Sequence, residues 1–120
     1  MRSNYAEKLL TMVSNSHLWH FYTKSYAAHD ALNKFYTGLE DIADKYIECD
    51  IGAYGPIKPS GNTFFYVGLD SAVNSIKGLK ADTLAVRGIQ DKSGQPGLVS
   101  ILDELLTLID QTLYRLTQLS

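Results

Sequence analysis

The stretch "LVSILDELLTLIDQTLYRLTQL" (residues 98–119) constrains the fold of this chain more than any other part of the sequence. Its apolar residues recur at steps of three or four positions, which is the spacing of one helical face. They form a single stripe: Leu98, Leu102, Leu105, Ile109, Leu113 and Leu116. The stripe is widened by Ile101, Leu106 and Leu108. A helix that is apolar over so broad a face must be buried on more than one side, by its own bundle or by another subunit.

A first helix is predicted to begin near Asn4 and to end where Thr23, Lys24 and Ser25 interrupt its pattern. One face of this helix carries the residues with helical spacing: Tyr5, Leu9, Met12, Ser16 and His20. Ser25 is predicted to cap a second helix, because its hydroxyl can accept a hydrogen bond from the free amides of a first turn.

The second helix is predicted to run to about Glu48 on a heptad-like stripe. The stripe consists of Ala28, Leu32, Phe35, Leu39, Ile42 and Tyr46. The next stretch, "CDIGAYGPIKPSGN" (residues 49–62), has three Gly and two Pro and no helical period, so it is predicted to be a loop. The β-rich "TFFYV" (residues 63–67) is predicted to be a short extended segment.

A third helix is predicted from Leu69 to Arg87 or Ile89, followed by a second loop, "QDKSGQPG" (residues 90–97). The chain then has four helices in a single domain, residues 1–120, which its length also favours. The joins between the first two and the last two helices are short, and the join between helices 2 and 3 is long. This pattern predicts an all-α, ferritin-like four-helix bundle with a long crossover between helices 2 and 3.

The composition argues against several functional classes. The net charge is −2 and no Lys/Arg cluster is present, which argues against nucleic acid as a partner. Cys49 is the single cysteine, so no intrachain disulfide can form, and a reducing compartment is predicted. The N-terminus lacks the pattern of a signal peptide, and no apolar run is long enough to cross a membrane. We therefore expect a cytoplasmic protein with no membrane partner.

The chain concentrates its three histidines in "HLWHFYTKSYAAHD" (residues 17–30). His17 and His20 are three residues apart, hence neighbours near the end of the first helix. His29 lies one turn into the second helix, across a short connection. If the two helices are antiparallel, all three imidazoles are expected to lie close together.

Acidic residues recur along the second helix at Glu40, Asp44 and Glu48, with a spacing of four. Carboxylates at this spacing repel one another unless a positive charge lies between them, and a metal cation would turn that repulsion into ligation. Mixed imidazole and carboxylate ligands suit iron, with manganese or zinc as alternatives. The sequence therefore predicts six metal ligands: His17, His20, His29, Glu40, Asp44 and Glu48. The alternative is that the histidines are core residues and the acids a solvated face.

The two blocks "HLWHFYTKSYAAHDALNKFY…DIADKYIE" and "LDELLTLIDQTLYRLTQL" resemble a family of small ferritin-like proteins of tailed bacteriophages. That family has the signature H-x-x-H…T-K-S-[YF]-x-x-H-x-A-L…[FY]Y…D-x-x-x-E. The first block is more distantly similar to the DNA-protection-during-starvation miniferritins. In that comparison His20 and His29 take the places of the two histidines, with His17 as the alternative first one, and Asp44 and Glu48 take the places of D-x-x-x-E.

The resemblance implies a protein that binds and oxidises Fe(II) with O2 or H2O2. It also implies a homo-oligomer, since miniferritins place the histidines of one subunit against the D-x-x-x-E of another. One departure is Asn33, which stands where miniferritins carry an aspartate. This departure favours the alternative, a phage structural or interaction protein with a vestigial or structural metal site. A phage origin would place the protein in the host cytoplasm or in the virion.

Overall fold

The computed structural model describes residues 2–119, and this part of the chain forms four α-helices and no strand. The helices are α1 (Arg2–Tyr22), α2 (Tyr26–Tyr54), α3 (Ala72–Lys92) and α4 (Pro96–Tyr114). A 3-10 turn (Leu69–Ser71) precedes α3, and a π-helical turn (Arg115–Leu119) continues α4. The predicted all-helical class and the four helices are confirmed. None of these helices is long and apolar enough to span a membrane.

Ser25 caps α2 as predicted. Its backbone is extended, and its hydroxyl accepts a hydrogen bond from the amide of Ala28 at 3.2 Å. The turn between α1 and α2 is short because the amide of Thr23 still bonds to the carbonyl of Trp19, at 3.0 Å. The two helices are therefore closely joined at the end of the molecule that carries the histidines.

The predicted end of the second helix near Glu48 is wrong, because α2 continues to Tyr54. The extra turns are held by tertiary contacts that local propensity does not reveal. Arg2, at the start of α1, forms an ion pair with the buried Asp50 at 2.6 Å and donates to the carbonyl of Gly55. Gly55 then ends the helix in a conformation with φ of 95°, which glycine adopts without steric cost.

The predicted end of the third helix also differs from the structure, because α3 continues to Lys92, beyond Arg87 or Ile89. The segment at residues 63–67 has no regular secondary structure. The last turns of α3 are stabilised by Gln90, which is buried and bonds to the hydroxyls of Tyr46 and Tyr54. The loop before α4 is therefore only residues 93–95, and Pro96 begins α4, where a missing amide hydrogen costs nothing.

The core contains most of the apolar stripes predicted from the sequence. The stripe of α1 from Tyr5 to His20 is buried, and so is the stripe of α2 from Ala28 to Tyr46. On α4 the stripe is buried from Leu98 to Ile109, and Leu113 and Leu116 pack against it while half exposed. Burial of this kind, at about 25 cal/mol per Å² of apolar surface, is the main force that holds such helices together.

The segment at residues 55–68 lies against α1 along much of its length. Near the start of α1, Ser60 donates to Glu7, and Asn62 donates to Asn4. Near the end of α1, the indole of the fully buried Trp19 donates to the carbonyl of Val67 at 2.7 Å. The segment is thus held at both ends of the helix without any secondary structure of its own.

Candidate metal centre

The predicted clustering of the histidines is confirmed. The ring centroids of His20 and His29 are 3.9 Å apart, and those of His17 and His20 are 5.9 Å apart. The cluster arises because α1 ends and α2 begins within a few residues, so the last turn of one helix lies beside the first turn of the other. The centre of the cluster is the pair formed by His20 and His29.

His29 is fixed by a hydrogen bond to the backbone of α1. Its Nδ1 lies 2.9 Å from the carbonyl oxygen of His20, which can only accept, so Nδ1 carries the proton. The Nε2 atom of a neutral His29 then has a free lone pair. A backbone carbonyl that sets the tautomer in this way is the usual second partner of a metal-binding histidine.

His20 is buried with one nitrogen unsatisfied. The residue is 8% exposed, and its Nδ1 has no hydrogen-bond partner within residues 2–119. A buried polar atom without a partner costs about 1–3 kcal/mol. Burial lowers the pKa of His20, and the neighbouring His29 and His17 lower it further, so the ring is neutral at pH 7. A neutral imidazole with an unused nitrogen is the form that binds metal ions.

His17 is held mainly by aromatic stacking. Its ring lies 4.0 Å from that of Tyr36 at an angle of 12°, and 5.0 Å from that of Phe21 at 25°. Phe21 and Tyr36 therefore belong to the cluster, although the sequence analysis did not predict them as part of the site. The spacing of four between His17 and Phe21 was the available signal, since residues at i and i+4 meet on a helix.

The three predicted acidic ligands lie far from the histidines of the same chain. Glu40, Asp44 and Glu48 are exposed and follow His29 by 11, 15 and 19 residues. At about 1.5 Å per residue these separations correspond to roughly 16–28 Å along α2. Within residues 2–119, no group of three or more His, Cys, Asp or Glu side chains could hold a metal ion. One copy of the chain therefore brings the histidines together, but not the histidines with the acids.

The acids of α2 also differ from those of α4 in their charge environment. Each acid of α4 has a cation on a neighbouring helix: Asp103 pairs with Arg87, Glu104 with Lys45, and Asp110 with Lys80. These are exposed ion pairs, which contribute little to the stability of a protein because water and salt screen the charges. In contrast, none of the ion pairs within residues 2–119 involves Glu40, Asp44 or Glu48. The described part of the chain therefore provides no ion-pair partner for these three acids.

His29 and two of the acids, Glu40 and Asp44, share one outer face of α2. At 100° per residue, His29, Tyr36, Glu40 and Asp44 all fall within an arc of about 80° on α2. Apolar groups lie on the same side of the pair. On α1, Leu10 is 46% exposed and falls within about 20° of His17, whose ring stacks on the half-buried Tyr36 of α2. This outer face, defined by Leu10, His29, Tyr36, Glu40 and Asp44, combines apolar surface with a histidine end and an acidic end.

The chain matches the family of unknown function DUF5856 over residues 20–116, which is 97 of its 120 positions. It belongs to that family. The DUF5856 match includes His20, His29, Glu40, Asp44 and Glu48, and it begins after His17. No curated protein matches the chain, and no solved structure matches it.

The lowered pKa of His20 predicts how the metal-free protein responds to pH. Below about pH 6.5 the unfolded chain takes up a proton at this histidine, whereas the folded chain does so only at lower pH. The unfolded state then binds more protons, so the free energy of unfolding falls as the pH drops through this range. Urea unfolding at pH 7.5, 6.5 and 5.5 measures the effect. The fall should be smaller in a His20→Gln variant, and an equal fall in both proteins would contradict the assignment.

Proposed function

We propose that this chain is a ferritin-like protein that binds and oxidises Fe(II) at a site formed between two copies. The observation that carries the proposal is the pair of His20 and His29. One has a buried nitrogen without a partner, and the other is held by the backbone so that Nε2 is free. Two such imidazoles, 3.9 Å apart between ring centroids, form half of a histidine and carboxylate site.

Ferritin-like connectivity is supported by the contacts of the long join. The segment at residues 55–68 follows α1 from Asn4 to Trp19, and Tyr5 of α1 bonds to Thr83 of α3. In this arrangement the join carries the chain back along the bundle, so that α3 starts near the end of α1. A single long crossover of this kind distinguishes ferritin-like bundles from simple up-down bundles.

A second copy supplies the carboxylates in this proposal. Consider two α2 helices that pack antiparallel about a two-fold axis. Residue numbers then rise along one helix and fall along the other, so the numbers of any two opposite residues add up to the same sum. For His29 to lie opposite Asp44 and Glu48, this sum is between 73 and 77, and the axis passes between residues 36 and 39. The half-buried Tyr36 lies at that point on the outer face. A two-fold contact is self-complementary, so the histidine end of each copy meets the acidic end of the other.

The chemistry follows from the donor atoms. His20 and His29 would bind Fe(II) as neutral imidazoles, while Asp44 and Glu48, with Glu40 nearby, would supply the negative charge that stabilises the ferric product. Four or five such ligands leave coordination positions open for O2 or H2O2, which takes the electron from each Fe(II). Manganese or zinc would bind to the same donor set. Iron is the substrate here, bound as Fe(II) and released or stored as Fe(III).

A second candidate is a phage structural or interaction protein that uses the same scaffold with a vestigial or structural metal site. Asn33 favours it. An amide is a neutral and weaker ligand than a carboxylate, and this residue is exposed one turn after His29. The spacing of the α2 acids favours the metal-binding function instead, because carboxylates four residues apart repel one another and a bound cation would turn that repulsion into ligation.

The acidic half of the site is tested by an Asp44→Asn, Glu48→Gln variant. Mixed with Fe(II) in air, it is expected to oxidise iron at least about tenfold more slowly than the wild type, as followed by near-ultraviolet absorbance. The matched control is Asp103→Asn, Glu104→Gln, which makes the same two chemical changes on α4 and should leave the rate unchanged. Equal rates for the two variants would refute the proposed role of the α2 acids.

A further inference from the structure

A cavity of about 250 Å³ lies between α1, α2 and α3, away from the histidine cluster. The rings of Tyr5 and Tyr46 meet edge to face at 5.5 Å on one side, and Val86 and Ile89 of α3 line another. Lys8 marks the end nearer to His20, and the separation of twelve positions between these two residues corresponds to about 18 Å along α1. On α2 the cavity residues Tyr46 and Asp50 lie on the side of the helix opposite to Asp44 and Glu48, so the cavity is separate from both halves of the proposed metal site.

The two ends of the cavity carry ion pairs of very different strength. At one end Arg2 donates hydrogen bonds to three acceptors: the Asp50 carboxylate, the Asp50 carbonyl and the Gly55 carbonyl. At the other end Lys8 and Asp82 are 3.3 Å apart, and their side chains are 37% and 44% exposed. Such a pair contributes about 0–1 kcal/mol to stability. The Arg2 end is part of the fold, whereas the Lys8–Asp82 pair can open at little cost.

We propose that this cavity binds a small zwitterion of the amino-acid type with an apolar side chain. The ligand carboxylate would take the place of Asp82 on the Lys8 ammonium, and the ligand ammonium would take the place of Lys8 on the Asp82 carboxylate. A ligand with a single charge would leave either Lys8 or Asp82 without its counterion. The zwitterion replaces both partners, so the pair opens without losing its electrostatic compensation.

The walls of the cavity select an apolar side chain. The Tyr5 hydroxyl pairs with Thr83 at 2.8 Å, and the Tyr46 hydroxyl accepts from Gln90 at 3.0 Å. Each of the two tyrosine hydroxyls already has a hydrogen-bond partner within the protein, so neither is a free partner for a polar group of a ligand. The aromatic and aliphatic walls remove apolar ligand surface from water, so a leucine-sized or phenylalanine-sized group is favoured.

The ligand class is tested with four probes: L-phenylalanine, 3-phenylpropanoate, 2-phenylethylamine and L-serine. In calorimetry and in NMR titrations, L-phenylalanine is expected to bind with a Kd near or below about 1 mM. The two singly charged analogues should bind about two- to fivefold more weakly, and serine should show no binding at the same concentration. If no probe shifts resonances of α1 and α3, or if 3-phenylpropanoate or 2-phenylethylamine binds as well as L-phenylalanine, the proposal is wrong.

The position of the site is tested by a Lys8→Gln, Asp82→Asn variant, which removes both charges without changing the net charge. L-phenylalanine binding should weaken at least about tenfold. The matched control is Lys34→Gln, Asp30→Asn, which removes the exposed ion pair of α2 and should have no effect on binding. A Val86→Phe variant, which narrows the cavity from α3, should also weaken binding. Unchanged binding in the Lys8 variant or in the Val86 variant would overturn the proposal.

Discussion

Replacing both His20 and His29 by alanine is expected to lower the rate of Fe(II) oxidation to that of iron in buffer alone. The two imidazoles supply every nitrogen ligand in the proposed site, and loss of even an outer-shell partner typically costs about 10–100-fold in metal affinity or activity. The assay mixes purified protein with Fe(II) in air and follows near-ultraviolet absorbance. Elemental analysis after metal-free purification and reloading with Fe(II) should show the same loss in bound metal.

The matched control for this double variant is His17→Ala. His17 belongs to the same cluster, but it is stacked between Phe21 and Tyr36, and His20 is the histidine closest to His29. The His17 variant should therefore retain most of the oxidation rate. Circular dichroism establishes whether both variants keep their helical content. Equal rates for the wild type and the folded double variant would remove the catalytic claim.

Replacing Trp19 by alanine is expected to lower the free energy of unfolding by about 3–5 kcal/mol, the usual cost of deleting a buried aromatic side chain. Trp19 is 0% exposed, and its indole is also the group that holds the carbonyl of Val67. The change therefore leaves a cavity under the α1–α2 turn and releases the end of the 55–68 segment. A domain of this size has about 5–15 kcal/mol of stability in total, so the loss is a large share of it.

The Trp19→Phe variant separates the two contributions of the indole. It keeps most of the apolar volume and removes the hydrogen bond, so it should lose less than the alanine variant. The bond itself accounts for about 0.5–1.5 kcal/mol. Chemical denaturation of the metal-free proteins measures both losses. An alanine variant less than about 1 kcal/mol below the wild type would contradict the placement of Trp19 in the core.

The helices and their buried faces could be predicted from the sequence because periodicity records which side of a helix avoids water. The stripe from Ala28 to Tyr46 and the cap at Ser25 depend only on local spacing and local hydrogen bonding. The end of α2 depends also on a contact between residues that are far apart in the sequence. It continues past Gly52 because Arg2, 48 residues away from Asp50 in the chain, bonds to that carboxylate. No local pattern contains this contact.

The candidate site likewise has some features that could be predicted from the sequence and others that could not. The proximity of His20 and His29 could be predicted, because one helix ends where the next begins. The tautomer of His29 and the unsatisfied Nδ1 of His20 could not, because both depend on which atoms surround the rings. The distance from the histidines to Asp44 and Glu48 was implicit in the length of α2. It is this distance that makes a second copy necessary for the proposed site.

The proposed metal site therefore depends on the outer face of the α1–α2 pair. Two impaired variants can test it together. One lacks the histidines (His20→Ala, His29→Ala) and the other lacks the acids (Asp44→Asn, Glu48→Gln). If each site takes its histidines from one copy and its acids from the other, a mixed dimer has one intact site and one site that has lost both halves.

The decisive measurement is the rate of Fe(II) oxidation by the two variants expressed together in equal amounts. With random pairing about half of the dimers are mixed, and each has one working site of two, so about one quarter of the wild-type rate per chain should return. Each variant expressed alone should oxidise Fe(II) at no more than about a tenth of the wild-type rate. A mixture that is no faster than its components, although light scattering shows that the chains pair, would contradict a site shared between two copies.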